Sequence, residues 1–272
     1  TAVVMAVDGQ RPLAVEVQAL VSRTFLSIPR RAALGFDVGR LHLLLAVYAL
    51  AAWLNLGLPD SGARYPRQSI HPAALLRDFA AGNAVLWRDP LGGLSLAATT
   101  LFWGAGATLQ FIVLRWAQER LGLPLHAASW LQAVVAVGVV CGAALAGRLV
   151  PLHGAARMLG FGVALGLLLP VVAATRSLWL AVPLLLVAGA VGGLMVVPLN
   201  ALLQHRGCEL LTAGRSIAVQ GFNENASILV MLALYAALLA AEVAIVPLMA
   251  GFGASIALAI GALMWRRRRM AA

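Results

Sequence analysis

The sequence predicts an all-α polytopic membrane protein, and three observations carry that prediction. Apolar residues make up 62% of the chain and charged residues 11%, with a mean hydropathy of +0.91, a composition outside the range of soluble domains. Uncharged stretches recur at about the 20-residue length a helix needs to cross the hydrocarbon core. The basic residues, 20 in number and all Arg, outweigh 10 acids for a formal charge of +10, and they sit in short clusters between those stretches. That is the pattern of spans joined by basic loops. Nucleic-acid binding, which needs the charge gathered on one surface, is excluded as a main function.

Seven spans are predicted, over residues 41–58, 92–114, 128–147, 158–175, 178–200, 216–240 and 243–265. The chain therefore divides into an atypical N-terminal segment, 1–39; a transmembrane helix, 40–58; a polar connector, 59–91; six helices, 92–265; and a basic tail, 266–272. Within the connector, Leu75, Leu76, Phe79 and Leu86 fall on or near one helical side, opposite Arg77 and Asp78, which predicts a helix lying on the membrane surface.

Arg placement sets the orientation, because basic loops stay in the cytoplasm. One side of the alternating topology collects Arg64, Arg67, Arg77, Arg88, Arg148, Arg157, Arg206, Arg215 and Arg266 to Arg269, twelve in all. The other has three, Arg115, Arg120 and Arg176. The connector and the C-terminus are accordingly expected in the cytoplasm. The first 40 residues break the rule: they would lie outside, yet carry Arg11, Arg23, Arg30, Arg31 and Arg40. Their best apolar stretch, Leu13 to Ile28, holds Glu16 and Arg23 and is closed by Pro29, so it reads neither as a span nor as a signal peptide.

Cys141 lies in an apolar stretch and Cys208 in a polar one, too far apart for a disulfide framework or zinc spacing. His42, His71, His126, His153 and His205 are scattered, so no metal site and no cofactor is expected. Glycines four apart, Gly138 and Gly142, Gly162 and Gly166, Gly189 and Gly193, predict close helix contacts and no substrate role.

The chemistry concentrates in the sixth span. Ser216, Gln220, Asn223, Glu224 and Ser227 make one polar stripe on a helix that is otherwise apolar through Ile228, Leu229, Val230 and Met231. Glu224 is the one acid well within a span, about 16 Å from Ala213 at 1.5 Å per residue. Such a carboxylate is costly unless it meets water, a cation or hydrogen-bond donors, which makes it a functional candidate. The alternative is a helix-locking role with Asn223 and Asn225 as partners. On the second span, Thr100, Trp103, Ala107, Gln110 and Leu114 share a side; Trp103 suits packing as readily as ligand contact, whereas Gln110 is harder to explain as core. On the fifth, Pro198, Asn200 and Gln204 mark a helix terminus or a gate.

Three segments resemble a known family. Leu101-Phe-Trp-Gly-Ala-Gly-Ala-Thr-Leu109, Gly192-Gly-Leu-Met-Val-Val-Pro-Leu-Asn-Ala-Leu-Leu-Gln204, and Ala213-Gly-Arg-Ser-Ile-Ala-Val-Gln220 followed by Glu224-Asn225 are similar to parts of helices 7, 10 and 11 of the bacterial lysophospholipid transporters of the major facilitator superfamily. Weaker similarity runs from about Phe36 to Arg269, including Asp60-Ser-Gly-Ala-Arg-Tyr-Pro66. The resemblance implies the superfamily's C-terminal six-helix half plus one preceding transmembrane helix, that is, helices 6 to 12 of twelve, with substrate held between the halves. Residues 1–36 resemble none of helices 1 to 5, so the chain is expected to be the later part of a longer transporter, with those residues not its native upstream sequence. A disordered extracellular tail is the alternative. The superfamily's basic signature between helices 8 and 9 is reduced to Gly147-Arg148 and Arg157.

What the resemblance further implies is flipping of lysophospholipid, chiefly lysophosphatidylethanolamine, to the inner leaflet of the bacterial cell inner membrane, for reacylation by a cytoplasmic-side acyltransferase. The lipid bilayer and the lysolipid are the expected partners. Substrate contacts are expected from Glu224, Asn223, Gln220, Asn225, Gln110, Trp103 and Asn200. No His and Asp acyltransferase motif follows Arg269, so no enzyme is expected. A proton-coupled exporter titrating Glu224, and a non-transporting membrane fragment, are the other readings.

Overall fold

The computed structural model describes residues 2–8, 11–17, 38–57 and 71–271. Two compact units divide the chain, residues 1–67 and 68–272. In the first, Val-rich strands β1 (Ala2–Asp8) and β2 (Arg11–Val17) pair antiparallel with Val4 opposite Val15, a pairing outside the all-α class expected of the chain. Helix α1 (Val38–Asn55) takes the place of the first predicted span. Its 18 residues rise about 27 Å, slightly less than the hydrocarbon thickness.

The second unit is helical. It holds α2 (Pro72–Arg88), α3 (Pro90–Leu121), α4 (Leu125–Leu149), a 3₁₀ turn (Leu152–Met158), α5 (Leu159–Ala174), α6 (Leu178–Leu210), α7 (Ala213–Ala240) and α8 (Ile245–Ala271). Among the described residues, six helices are long and apolar enough to cross a membrane, from α3 to α8. They correspond to the six spans predicted after the connector. Several helices outrun those spans: α3 continues past residue 114 to Leu121, and α6 past Asn200 to Leu210. Hydropathy reports only the part that sits in lipid, while the hydrogen-bonded helix continues into polar surroundings until a cap ends it.

The ends are built from local chemistry. Asp89 accepts the Gly92 N–H at 2.8 Å and Pro90 occupies the first turn of α3, so one donor is satisfied and one is absent by design of the residue. Gly122, at φ 66°, closes the same helix in the left-handed conformation. The Thr212 hydroxyl caps α7 through the Arg215 N–H.

Glycine positions decide which helices touch. A Cβ on Gly138 or Gly142 would run into the backbone of Leu186 or Ala190, and one on Gly189 or Gly193 into that of Val135 or Val139, so α4 and α6 pack backbone to backbone. Gly166 meets Gly253 and Ala257, joining α5 to α8. Gly104 receives Ser227 and Met231, joining α3 to α7. Two of the three predicted glycine pairs therefore interlock with each other, which is how small residues act where lipid offers no hydrophobic drive between helices. Trp116, fully buried, anchors the main core and donates Nε1–H to the Ala173 carbonyl at 3.2 Å.

Helix α2 seals one end of this bundle. Leu86 is fully buried with Leu96, Leu203 and Val219, and Phe79, Trp87 and Leu211 pack around them. Part of the apolar side expected to lie on the membrane surface thus lies on α3, α6 and α7; burying a Leu of this kind contributes about 1.5–3 kcal/mol.

Candidate functional site

Gln220 is the centre of a polar cluster between α6 and α7. It is 8% exposed, and its Nε2 donates both protons, to Asn200 Oδ1 at 2.7 Å and to Glu224 Oε1 at 2.8 Å. The i, i+4 spacing of Gln220 and Glu224 on one helix puts amide and carboxylate in register, and Asn200 comes from the neighbouring helix. Gln220 Oε1 is buried with no hydrogen-bond partner. Among the described residues no cation pairs with Glu224, so one amide donor is all that its half-buried carboxylate receives there.

Asn223 turns the other way. Its Oδ1 accepts the Trp87 Nε1–H at 3.1 Å, and its Nδ2 donates to Asn83 Oδ1 and to the Val219 carbonyl, both at 2.8 Å. The predicted stripe thus splits into two functions of place: Gln220 and Glu224 join α7 to α6, and Asn223 joins it to α2. Phe222, next along α7, meets Phe79 of α2 edge to face with centroids 5.0 Å apart. Neither Asn83 nor Trp87 was expected at the site, although their i, i+4 spacing on a half-apolar helix is the signal that pairs them.

The remaining candidates lie outside the cluster. The Asn225 side chain bonds the Gly221 carbonyl of its own helix and is exposed. Trp103 is 44% exposed and stands edge-on to Phe102. Gln110 has an exposed side chain, and its backbone carbonyl accepts from Gln132 Nε2 at 2.9 Å. Ser216, at the start of the stripe, is buried against Gly207, where a Cβ would leave it no room.

Below this cluster the α2–α3 corner is fastened to α6. Asp89 accepts from Arg206 through both carboxylate oxygens, at 3.1 Å from Nε and 2.6 Å from Nη2, and Arg206 Nη1 also reaches Glu209 at 2.6 Å. Hydropathy places Arg206 in a loop; the continuation of α6 makes it a helical side chain facing Asp89.

The arrangement defines a polytopic helical membrane protein whose Glu224 carboxylate, among the described residues, meets no cation and is held by the one amide of Gln220, itself bonded to the neighbouring helix. Among curated proteins, the chain is 41% identical over 225 residues to the lysophospholipid transporter LplT of Citrobacter koseri, 43% identical over 224 residues to that of Salmonella arizonae, and 39% identical over 235 residues to that of Escherichia coli O1:K1. These matches cover 82–84% of this chain and 56–59% of the relatives. The chain is a homologue of the lysophospholipid transporters and spans little more than half of their length. No protein-family profile matches it, and no solved structure does.

Proposed function

We propose that the chain forms the C-terminal part of a lysophospholipid transporter of the bacterial inner membrane. It would carry lysophosphatidylethanolamine and related lysolipids to the inner leaflet, where an acyltransferase on the cytoplasmic side restores the second chain. The homology to named lysophospholipid transporters over 82% of the chain is the observation that carries this reading. The Gln220–Glu224–Asn200 cluster supplies chemistry in keeping with it: a carboxylate for the ammonium of an ethanolamine headgroup and amides for phosphate and hydroxyl oxygens. The acyl chain can trail along apolar helix surface such as Leu229, Val230 and Leu234, all exposed on α7. In this reading α3 to α8 form one half of a major facilitator fold, the cluster faces the other half, and the Arg-rich ends of the helices lie in the cytoplasm.

The test is uptake of labelled lysophosphatidylethanolamine by a bacterium deleted for its own transporter, expressing the membrane-inserted chain alone or together with the N-terminal helices of the Citrobacter relative. Label appearing in diacyl phospholipid in either arm supports the proposal, and co-expression is the arm expected to succeed. Failure of both arms, with the proteins present in the membrane, overturns it. Uptake of other solutes that collapses with the proton gradient would favour an exporter that titrates Glu224.

A further inference from the structure

The end of α8 carries four consecutive Arg, and the fold sets one of them apart from the other three. From Ile245 to Trp265 the helix rises about 30 Å, the thickness of the hydrocarbon core, so Trp265 stands at interface depth with Arg266 to Arg269 just beyond it. Arg267 Nη1 donates to the Ala156 carbonyl at 2.8 Å, a bond across to the 3₁₀ turn that fixes the rotation of the helix end. At about 100° per residue, Trp265 lies about 160° around the helix from Arg267, with Arg266, Arg268 and Arg269 spread to either side of it. Trp265 is 57% exposed, and Leu258, two turns back on the same side, is 75% exposed, so this side of α8 faces away from the bundle. Arg266, Arg268 and Arg269 are exposed as well, and the Arg269 guanidinium stacks over the Trp265 ring, 3.7 Å from its centroid. Among the described residues, the ion pairs are made by Arg115, His205 and Arg206, so no carboxylate there answers these three charges.

We propose that Arg266, Arg268 and Arg269, arrayed around Trp265, form a docking site for anionic diacyl phospholipids of the surrounding leaflet. The inference needs only that the chain spans a membrane and is independent of the substrate reading above. Like charges on successive residues repel one another, and a lipid phosphate brings both the opposite charge and oxygens that match a guanidinium fork. Stacking on Trp265 engages the flat face of the Arg269 guanidinium and leaves its N–H groups, which lie in the plane, open to phosphate. Trp265 sets the depth at the headgroup level, and the acyl chains run along the exposed apolar side of α8 past Leu258. A soluble anion gains nothing from Trp265 and Leu258, and a lipid without net charge gains little from three cations. An acidic lipid with its chains in the bilayer meets both parts of the surface.

The experiment places the purified chain in phosphatidylcholine vesicles that contain a minor fraction of either phosphatidylglycerol or phosphatidylcholine spin-labelled near the headgroup. Trp265 fluorescence is taken as the difference between each protein and its Trp265→Phe counterpart, which isolates it from the other Trp residues. Labelled phosphatidylglycerol is expected to quench Trp265 more strongly than labelled phosphatidylcholine at equal fraction, and raised salt should erase the excess. Arg266→Gln, Arg268→Gln and Arg269→Gln combined should lower the apparent affinity for phosphatidylglycerol about tenfold or more, whereas Lys at the same three positions should keep part of it. Arg77→Gln removes a charge from α2, which packs on α3, α6 and α7, and should leave the excess unchanged. The salt titration of the wild type tests the site even where the triple Gln variant folds poorly. Equal quenching by the two lipids in the wild type overturns the proposal, as does an excess that survives the Gln substitutions or high salt. Loss of the excess on adding soluble glycerophosphoglycerol at constant ionic strength would assign these Arg to a free anion and overturn the lipid site.

Discussion

Asp89 caps the start of α3 with the same carboxylate that holds Arg206 near the end of α6. One side chain thus fixes where the second unit's first long helix begins and what it leans on. The Arg206 guanidinium, followed by the Gly92 N–H, holds the Asp89 carboxyl below the ordinary Asp value against the opposing effect of its burial. A group whose folded-state value is lowered contributes stability above its unfolded value and loses it as pH falls through the lowered one. Thermal stability in detergent should therefore drop as pH goes below about 4. Asp89→Asn should lower stability at neutral pH by about 1–3 kcal/mol, the range for a charge-assisted hydrogen bond left unpaired, and should flatten that acid limb. Melting curves across pH check both.

The α4–α6 contact is predicted to reject a single methyl group. Gly142→Ala would drive its Cβ into the Ala190 backbone, and neither helix can yield without moving the other. Overpacking of this kind costs about 1–3 kcal/mol. Gly106→Ala meets nothing within 4 Å and should be neutral or stabilise α3 by up to about 1 kcal/mol. Denaturation of the two variants side by side separates packing from helix propensity.

Asn223 is predicted to hold α2 in place. Asn223→Ala removes its side-chain bonds to Trp87 and Asn83 and leaves those groups unpaired. Hydrogen exchange in α2 should accelerate by about tenfold or more, the equivalent of 1.4 kcal/mol, while protection in α4 and α6 stays as it was. Equal loosening of all helices would show that the bonds serve the whole bundle instead.

Glu224→Gln preserves shape and hydrogen bonding but removes the charge. In a transport-competent context, lysophosphatidylethanolamine uptake should fall more than tenfold, the rate equivalent of about 1.4 kcal/mol, with anionic lysolipids affected much less. Loss of every substrate together with gradient dependence would assign Glu224 to proton coupling. A drop in thermal stability with an unchanged headgroup profile would make it structural. Near-normal uptake of all headgroups would leave Gln220 as the next candidate.

The orientation rests on twelve Arg against three. With Cys141 and Cys208, both exposed, replaced by Ala, a Cys placed at Arg268 should resist an impermeant reagent added to intact cells. One placed at His126 should react. The opposite pattern inverts the topology.

The helical membrane class, the six long apolar helices of the second unit and the place of Glu224 within one of them were readable from the chain alone, because hydropathy and charge are properties of each residue wherever it packs. The Gly138/Gly142 and Gly189/Gly193 pairs announced close contacts in the same way, since a missing Cβ is a local fact. Which pairs meet, α4 with α6 and α5 with α8, was settled only by packing, as was the splitting of the polar stripe. A helical wheel puts Gln220 and Asn223 about 60° apart, near enough to count as one face. In the fold that angle lies between two neighbours, α6 with Asn200 on one side and α2 with Asn83 and Trp87 on the other. The Asp89–Arg206 bond joins residues 117 apart in sequence, and no periodicity reaches that far. Sequence patterns specify what a helix surface offers; the tertiary structure decides which partner accepts it, because the hydrogen bonds and clashes that choose between neighbours exist only once the helices are side by side.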